Sequence, residues 1–283
     1  MLRNYRIIKK IGKGGQGTVF LAKRISDLKQ VAIKSIDLSN PVSRKSFESE
    51  CAVLNALYND KACEPNHILC IIESFVDHER NFGYIVTDYY ENSVELFTYI
   101  IDEGHVLSET QFLDLTKKLL IALKYIHDNG MIHMDVKPEN ILVIKQPNIT
   151  AKLRVILLDF GLTCAKETCS KVGTDNFIAP EVYIKTMPIT EKADVFGLGI
   201  TLFCVVEKYY PYDPDKVTKW VKSRPHSLEI NPYPEFDMKF QPWIKKYPFL
   251  LAMVNPNPEK RKSVDELLLQ VDQMMESKKY TTV

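Results

Sequence analysis

The chain has 283 residues, 45% hydrophobic and 26% charged, and a formal net charge of +1. That length suffices for one large domain or two packed lobes, and a near-neutral chain carries no overall field for nucleic acid or an anionic membrane. No apolar run reaches the ~18 residues of a membrane span.

The start, Met1-Leu2-Arg3-Asn4-Tyr5, does not read as a signal peptide, and neither end carries a lipidation signature. The expectation is a soluble intracellular protein, cytoplasmic or nuclear, with no membrane segment and no nucleic-acid partner. Cys51, Cys63, Cys70, Cys164, Cys169 and Cys204 form no CxxC pair. They are expected to stay reduced, as small buried or surface residues.

The first ninety or so residues read mainly as strands. Tyr5–Gly12, Thr18–Lys23, Val31–Ile36, Ile68–Phe75 and Tyr84–Asp88 are short β-branched or aromatic runs broken by Gly, Asn and Asp. One helix interrupts them: Phe47, Cys51, Leu54 and Tyr58 recur at helical spacing after a turn at Asn40-Pro41. Beyond about residue 95 the pattern becomes mostly helical. Ser108-Glu109-Thr110-Gln111 is a capping box, and Phe112, Leu115, Leu119, Ala122, Leu123 and Ile126 follow as an apolar stripe that should stop at Asn129-Gly130. Further helices are expected from about Glu191 to Val206 and from Val264 to about Met275. Residues 209–248, rich in Tyr, Pro and Lys, give the weakest pattern.

Four segments carry chemistry. Gly12-Lys13-Gly14-Gly15-Gln16-Gly17 lies between two strands, which argues against the dinucleotide-binding version of this glycine pattern, because that version opens a helix. Glycines here would let backbone N–H groups approach phosphate oxygens. Lys34, in Val31-Ala32-Ile33-Lys34, alternates with apolar neighbours; alone it reads as a solvent-facing strand lysine. Glu50, however, shares the inward helix face with Phe47 and Leu54, whereas Glu48 does not. A Lys34–Glu50 pair would hold the ammonium in place.

The strongest segment is His133-Met134-Asp135-Val136-Lys137-Pro138-Glu139-Asn140, followed after a strand by Asp159-Phe160-Gly161. From one loop, a carboxylate, an ammonium and an amide would reach one small volume. Phosphoryl transfer needs that set: a carboxylate to orient a hydroxyl, a cation to offset charge, and oxygen donors for a hard cation such as Mg²⁺.

These motifs, in this order, resemble the eukaryotic-type protein kinases, a motif set that serves as a general template for phosphoryl transfer. The resemblance runs from the Gly-rich loop to Arg261. It implies an α+β, bilobal protein kinase fold: a small β-rich N-lobe with one main helix and a larger, mainly α-helical C-lobe. A single catalytic domain would fill 1–283, with the N-lobe at about 1–89, the hinge at about 88–93 and the C-lobe at about 94–278.

It also implies ATP and Mg²⁺ as cofactors and a protein substrate. Gly12, Gly14 and Gly17 would cover the phosphates, and Lys34 with Glu50 would form an ion pair. Asp135 would be the catalytic base, Lys137 would contact the γ-phosphate, and Asn140 and Asp159 would ligate Mg²⁺. Adenine would meet Ile11, Val19 and Ala32 on one side and Leu142 on the other, with the backbone at Asp88 and Tyr90 bonding the purine and Thr87 as gatekeeper. Leu54, Ile71, His133 and Phe160 would form an apolar stack, Glu181 would pair with Arg261, and Asp194 would anchor the catalytic loop from below.

Kinases usually place Arg before the catalytic Asp; here it is Met134. That Arg pairs with an activation-segment phosphate, so phosphorylation of Thr168 or Ser170 is not expected to order the segment by that route. Lys166 and Lys171 could offer a partial substitute. Lys137 and Thr174 resemble the Ser/Thr-specific branch, while His133-Met134-Asp135 with Ala193-Asp194-Val195-Phe196 also resembles the Wee-type kinases that phosphorylate tyrosine. Glu95 and Glu139 fall near positions that read basic residues ahead of the acceptor. A pseudokinase scaffold would lack one of Lys34, Glu50, Asp135, Lys137, Asn140 or Asp159, and all are present. A small-molecule phosphotransferase is disfavoured by Ala179-Pro180-Glu181, which in kinases closes a peptide-docking segment.

Overall fold

The computed structural model describes residues 4–15, 17–58, 62–146, 152–169, 173–174, 176–184, 187–208, 215, 219, 223 and 241–279. Most of 209–248 lies outside the described residues, as do Gln16, Ser170, Lys171 and Asp175. The chain divides into two compact units, Met1–Glu91 with Asp159–Gly161 and Asn92–Leu158 with Leu162–Val283.

In the first unit β1 (Tyr5–Gly14), β2 (Gly17–Arg24), β3 (Gln30–Asp37), β4 (Ile71–Asp77) and β5 (Phe82–Asp88) form one antiparallel sheet in the order β1-β2-β3-β5-β4. Alternation along β3 sends Val31 and Ile33 into the core. There Val31 and Ile33 join Tyr5, Ala22, Tyr84 and Val86, and Phe75 stacks between Tyr5 and Tyr84. Ala32 and Lys34 are left on the opposite face.

Helix α1 (Pro41–Leu57) starts where the Asn40 side chain accepts from Val42 N–H, with Pro41 in the first turn, where its missing N–H costs nothing. Its buried face is Phe47, Glu50, Val53, Leu54 and Leu57. This corrects the expected stripe in two places. Cys51 is only half-buried, and Tyr58 is exposed because it is the C-cap, with extended backbone, and no longer follows the helical period.

The second unit is largely helical. Helix α2 (Glu109–Asp128) opens on the complete capping box, with Ser108 and Gln111 bonding each other's backbone N–H, and ends at Asn129-Gly130, where Gly130 has φ 74°. Helix α3 (Lys192–Glu207) is buried without a break from Ala193 to Val205, as expected of a helix that is apolar all round. The last helix, Val264–Lys279, runs past the expected end at Met275, because Glu276, Ser277, Lys278 and Lys279 include no breaker.

Among the described residues this unit also holds two small sheets. The strands β6 (Ser93–Glu95), β8 (Ile141–Ile144) and β9 (Arg154–Leu157) pair in the order β6-β8-β9, and β7 (Met131–Ile132) pairs with β10 (Cys164–Ala165). Apart from the strand before Asp159, these were not legible, since two to four residues are too few to show a period.

The cysteines depart from expectation. Cys63 is disulfide-bonded to Cys70 and Cys164 to Cys169, leaving Cys51 and Cys204 free. Sequence separations of 7 and 5 resemble no redox or metal motif, but turns fold each pair to Cα–Cα distances of 5.7 and 5.2 Å, within disulfide reach.

Candidate active site

In the first unit, β3 and α1 bring a cation to a carboxylate. Lys34 Nζ lies 2.8 Å from both Glu50 oxygens and 3.5 Å from Asp159 Oδ1. Glu50 is buried on the inner face of α1, while Glu48 on the same helix is exposed. Burial acts to strip the charge from Lys34, but Glu50 and then Asp159 outweigh it, so the ammonium sits above the ordinary lysine range. Asp159 holds a left-handed backbone, φ 59°, and its Oδ1 accepts from Gly161 N–H. Leu54, Ile71 and Phe160 are each buried within this unit, as His133 is within the other.

The glycine segment forms the β1–β2 turn, with Gly12 opposite Val19 and Gly14 opposite Gly17. Gly17 has φ 151°, and a Cβ there would lie 2.5 Å from the Ser35 carbonyl oxygen, so no other residue fits. A Cβ at Gly14 would meet nothing within 4 Å. Of the expected purine contacts, Ile11 is exposed, Val19, Ala32 and Tyr90 are half-buried, and Thr87 is buried on β5 opposite Ala32. The Asp88 carboxylate pairs with Lys29 at 2.7 Å.

In the second unit, buried Asp194 organises the backbone at the start of the His133–Asn140 loop. Its Oδ2 accepts from His133 N–H and lies 2.8 Å from His127 Nε2, and its Oδ1 accepts from Met134 N–H, also at 2.8 Å. Burial would raise its carboxyl, yet these partners, His127 foremost, hold it below the usual carboxylate range. Met134 has φ 68°, a conformation that costs a non-glycine residue about 1–3 kcal/mol, and the paired N–H bonds into Asp194 hold it there. Its side chain is buried. Sequence reasoning missed His127. The available signal was its place one i+4 step beyond Leu123 on the inner face of α2.

Around the loop, Asp135 Oδ1 accepts from the Thr174 hydroxyl at 2.6 Å, and Oδ2 accepts from Asn140 Nδ2 at 2.8 Å and from Lys137 Nζ at 2.9 Å. Lys137 also donates to the Thr174 oxygen at 2.6 Å, which closes a triangle. Asn140 Nδ2 further bonds the Asp135 carbonyl, so the amide is turned with its carbonyl oxygen away from Asp135. Gly173 lets Thr174 reach this cluster: its φ is 138°, and a Cβ would stand 2.7 Å from Ile178 Cγ1 and 3.0 Å from the Met134 oxygen.

Burial pushes the Asp135 carboxyl up, but bonds from Lys137, Thr174 and Asn140 together hold it below the usual range. A depressed carboxyl contributes stability that is present above its unfolded pKa and lost as pH falls through the folded one. The melting temperature is therefore expected to fall as pH drops from about 5 through the ordinary aspartate range and below it. Thermal melts across that range should show a smaller fall in Asp135→Asn.

Farther along, Arg261 and Glu181 form a doubly bonded pair at 2.5 Å with both side chains at 0% exposure. Arg261 also donates to the carbonyls of Asn255, Lys192 and Pro256 and lies over the Phe196 ring.

The sequence matches a known family. Residues 5–271 match the family described as "Protein kinase domain". The chain belongs to that family. Its two units are the β-rich and the mainly helical lobe of the kinase fold, α+β in class.

Curated kinases align over most of its length. The "Probable serine/threonine-protein kinase 2" of Plasmodium falciparum is 30% identical over 91% of this chain and 48% of its own length. The "Maternal embryonic leucine zipper kinase" of Danio rerio is 28% identical over 95% and 37%, and the "Calcium/calmodulin-dependent protein kinase type 1" of Caenorhabditis briggsae 30% over 71% and 54%. The chain thus spans about half or less of the length of these relatives.

Among the described residues no helix is long and apolar enough to cross a membrane. Nor do three His, Cys, Asp or Glu side chains converge there as a dedicated metal cage. Mg²⁺ that arrives with substrate phosphates needs only one or two protein carboxylates and is a hard cation suited to oxygen donors. The Asp159 carboxylate in the first unit and the Asn140 side-chain carbonyl oxygen in the second are each an oxygen donor of that kind.

Proposed function

We propose that this kinase domain transfers the γ-phosphoryl group of Mg·ATP to serine and threonine hydroxyls of protein substrates. The carrying observation is the Asp135–Lys137–Thr174 triangle, because it places an ionised carboxylate beside an ammonium and fixes both with a hydroxyl from the downstream segment. The relatives named as serine/threonine or calmodulin-dependent kinases support the same class.

Each side chain has a proposed task. Lys34, kept charged by Glu50, holds the α- and β-phosphates, and Gly12, Gly14 and Gly17 bring backbone N–H groups over them; the open space at Gly14 suits such an approach. Asp159 and Asn140 hold Mg²⁺, which supplies neutralisation of phosphate charge when bound. Lys137 offsets charge on the moving group. Ile11, Val19, Ala32, Thr87, Asp88, Tyr90 and Leu142 receive the purine.

With its depressed carboxyl, Asp135 is a weak base at neutral pH. It therefore acts mainly by orienting the substrate hydroxyl and takes the proton late, which a loose phosphoryl-transfer transition state tolerates. Glu95 and Glu139 set a preference for basic residues ahead of the acceptor. Burial and then Glu139 raise the Glu95 carboxyl, and Glu139 Oε2 is buried without a hydrogen-bond partner, so the two would gain from a substrate cation.

Activity is expected not to depend on activation-segment phosphate, because Met134 presents neither charge nor donor to one. Phosphatase treatment and the Thr168→Ala/Ser170→Ala double variant should each keep the rate within about twofold; loss of most of the rate would contradict this. The function itself is tested with γ-labelled ATP and a degenerate Ser/Thr peptide array. Expected is Mg²⁺-dependent labelling enriched for peptides with Lys or Arg before the acceptor. An array that stays unlabelled at saturating Mg·ATP would overturn the proposal.

A further inference from the structure

Cys164 and Cys169 occupy a defined place in the fold. Cys164 lies on β10, opposite Ile132 of β7, the strand that leads directly into His133 and Met134. The chain then turns, with Lys166 N–H donating to the Gly130 carbonyl and Thr168 N–H to that of Ala165, and Cys169 returns to bond Cys164. Both cysteines are partly accessible, while Glu167 and Thr168 between them are exposed. Just downstream, Thr174 must be held against Asp135 and Lys137.

In a segment whose usual charge latch is replaced by Met134, a second means of fixing this chain is already built. We propose that Cys164 and Cys169 form a thiol–disulfide site, and that closing it holds the segment so that Thr174 seats on the catalytic loop.

Chain length gives the size of the effect. When the thiols are reduced, residues 166–173 connect the last strand residue, Ala165, to Thr174; with the disulfide closed, only 170–173 connect the fixed Cys169 to it. Halving a connecting loop lowers its closure cost by an amount equivalent to about threefold in the equilibrium constant. Reduction should therefore raise the KM for peptide about threefold and leave the KM for ATP unchanged, since Lys34 and Glu50 belong to the other unit.

Oxidation is written with glutathione disulfide as the two-electron acceptor. One cysteine, as thiolate, attacks a glutathione sulfur and releases one glutathione thiolate. The thiolate of its partner then attacks the mixed disulfide, closes the Cys164–Cys169 bond and releases the second glutathione. Two thiols are oxidised, one glutathione disulfide becomes two glutathiones, and the two protons pass to the leaving thiolates.

The inference rests on the kinase reading, and the test separates the two. The full chain is equilibrated in glutathione buffers from reducing to oxidising. Cross-linking is mapped by alkylation and peptide mass, peptide and ATP KM are measured, and amide exchange is followed over residues 176–184. Wild type should show peptide KM falling about threefold and exchange slowing as the Cys164–Cys169 cross-link fills. The Cys164→Ser/Cys169→Ser variant should stay at the reduced values at every potential, and Cys63→Ser/Cys70→Ser should respond as wild type does.

A cross-link that forms without change in exchange or KM, or one that does not form at any potential, overturns the proposal. So does a response that persists in Cys164→Ser/Cys169→Ser. If no labelling occurs in any buffer, the kinase reading fails, and the exchange measurement alone still decides whether the disulfide orders the segment.

Discussion

Asp135→Asn is expected to lower kcat by about 10²–10⁴-fold, with the KM for ATP unchanged. The carboxylate has both oxygens committed, one to Thr174 and the other to Asn140 and Lys137. An amide of the same shape keeps one acceptor but turns an NH₂ toward donors, and it removes the charge that Lys137 faces. The substrate hydroxyl then loses both its orienting acceptor and its eventual proton sink. Because the Met134 and His133 N–H groups are held by Asp194, independently of Asp135, the loop backbone should keep its course. Melting temperature is the control: a fall of only a few degrees beside a kcat loss of this size separates a chemical role from a structural one.

Arg261→Ala is expected to be the most destabilising single change, by about 3–5 kcal/mol. It strips the partner from Glu181 and leaves a carboxylate at 0% exposure uncompensated. It also abandons three backbone carbonyls that the guanidinium satisfies. Against the ~5–15 kcal/mol available to a folded domain this is a large share. Thermal unfolding should show a drop of about 10 °C, and Arg261→Lys should recover little, because an ammonium cannot reproduce the two-pronged bond to Glu181. A drop under a few degrees in Arg261→Ala would contradict the role given to this pair.

Both cases turn on residues that the sequence itself placed. Asp135, Lys137 and Asn140 come from one short loop, so their convergence follows from local spacing alone. Lys34 and Glu50 lie 16 residues apart; the helical period put Glu50 on the inward face, whereas the strand period alone left Lys34 facing solvent, and only the carboxylate gave it a partner. Glu181 and Arg261 lie 80 residues apart, and the family motif rather than any periodicity paired them.

What stayed illegible has physical causes. The strands β6 to β10 of the second unit are two to four residues long, too short for alternation to register. Tyr58 fitted the helical period but stands one position past the helix. The cysteines were misjudged because sequence spacing reports motifs, whereas disulfides depend on where turns return the chain. His127 carries no motif; only the buried charge of Asp194, far along the sequence, gives it a task.

Phosphoamino-acid analysis of substrate labelled from γ-labelled Mg·ATP, run side by side for wild type and Asp135→Asn, tests the central claim most directly. Phosphoserine and phosphothreonine are expected from wild type and only a trace from the variant. Phosphotyrosine alone, or full labelling that survives Asp135→Asn, would contradict it.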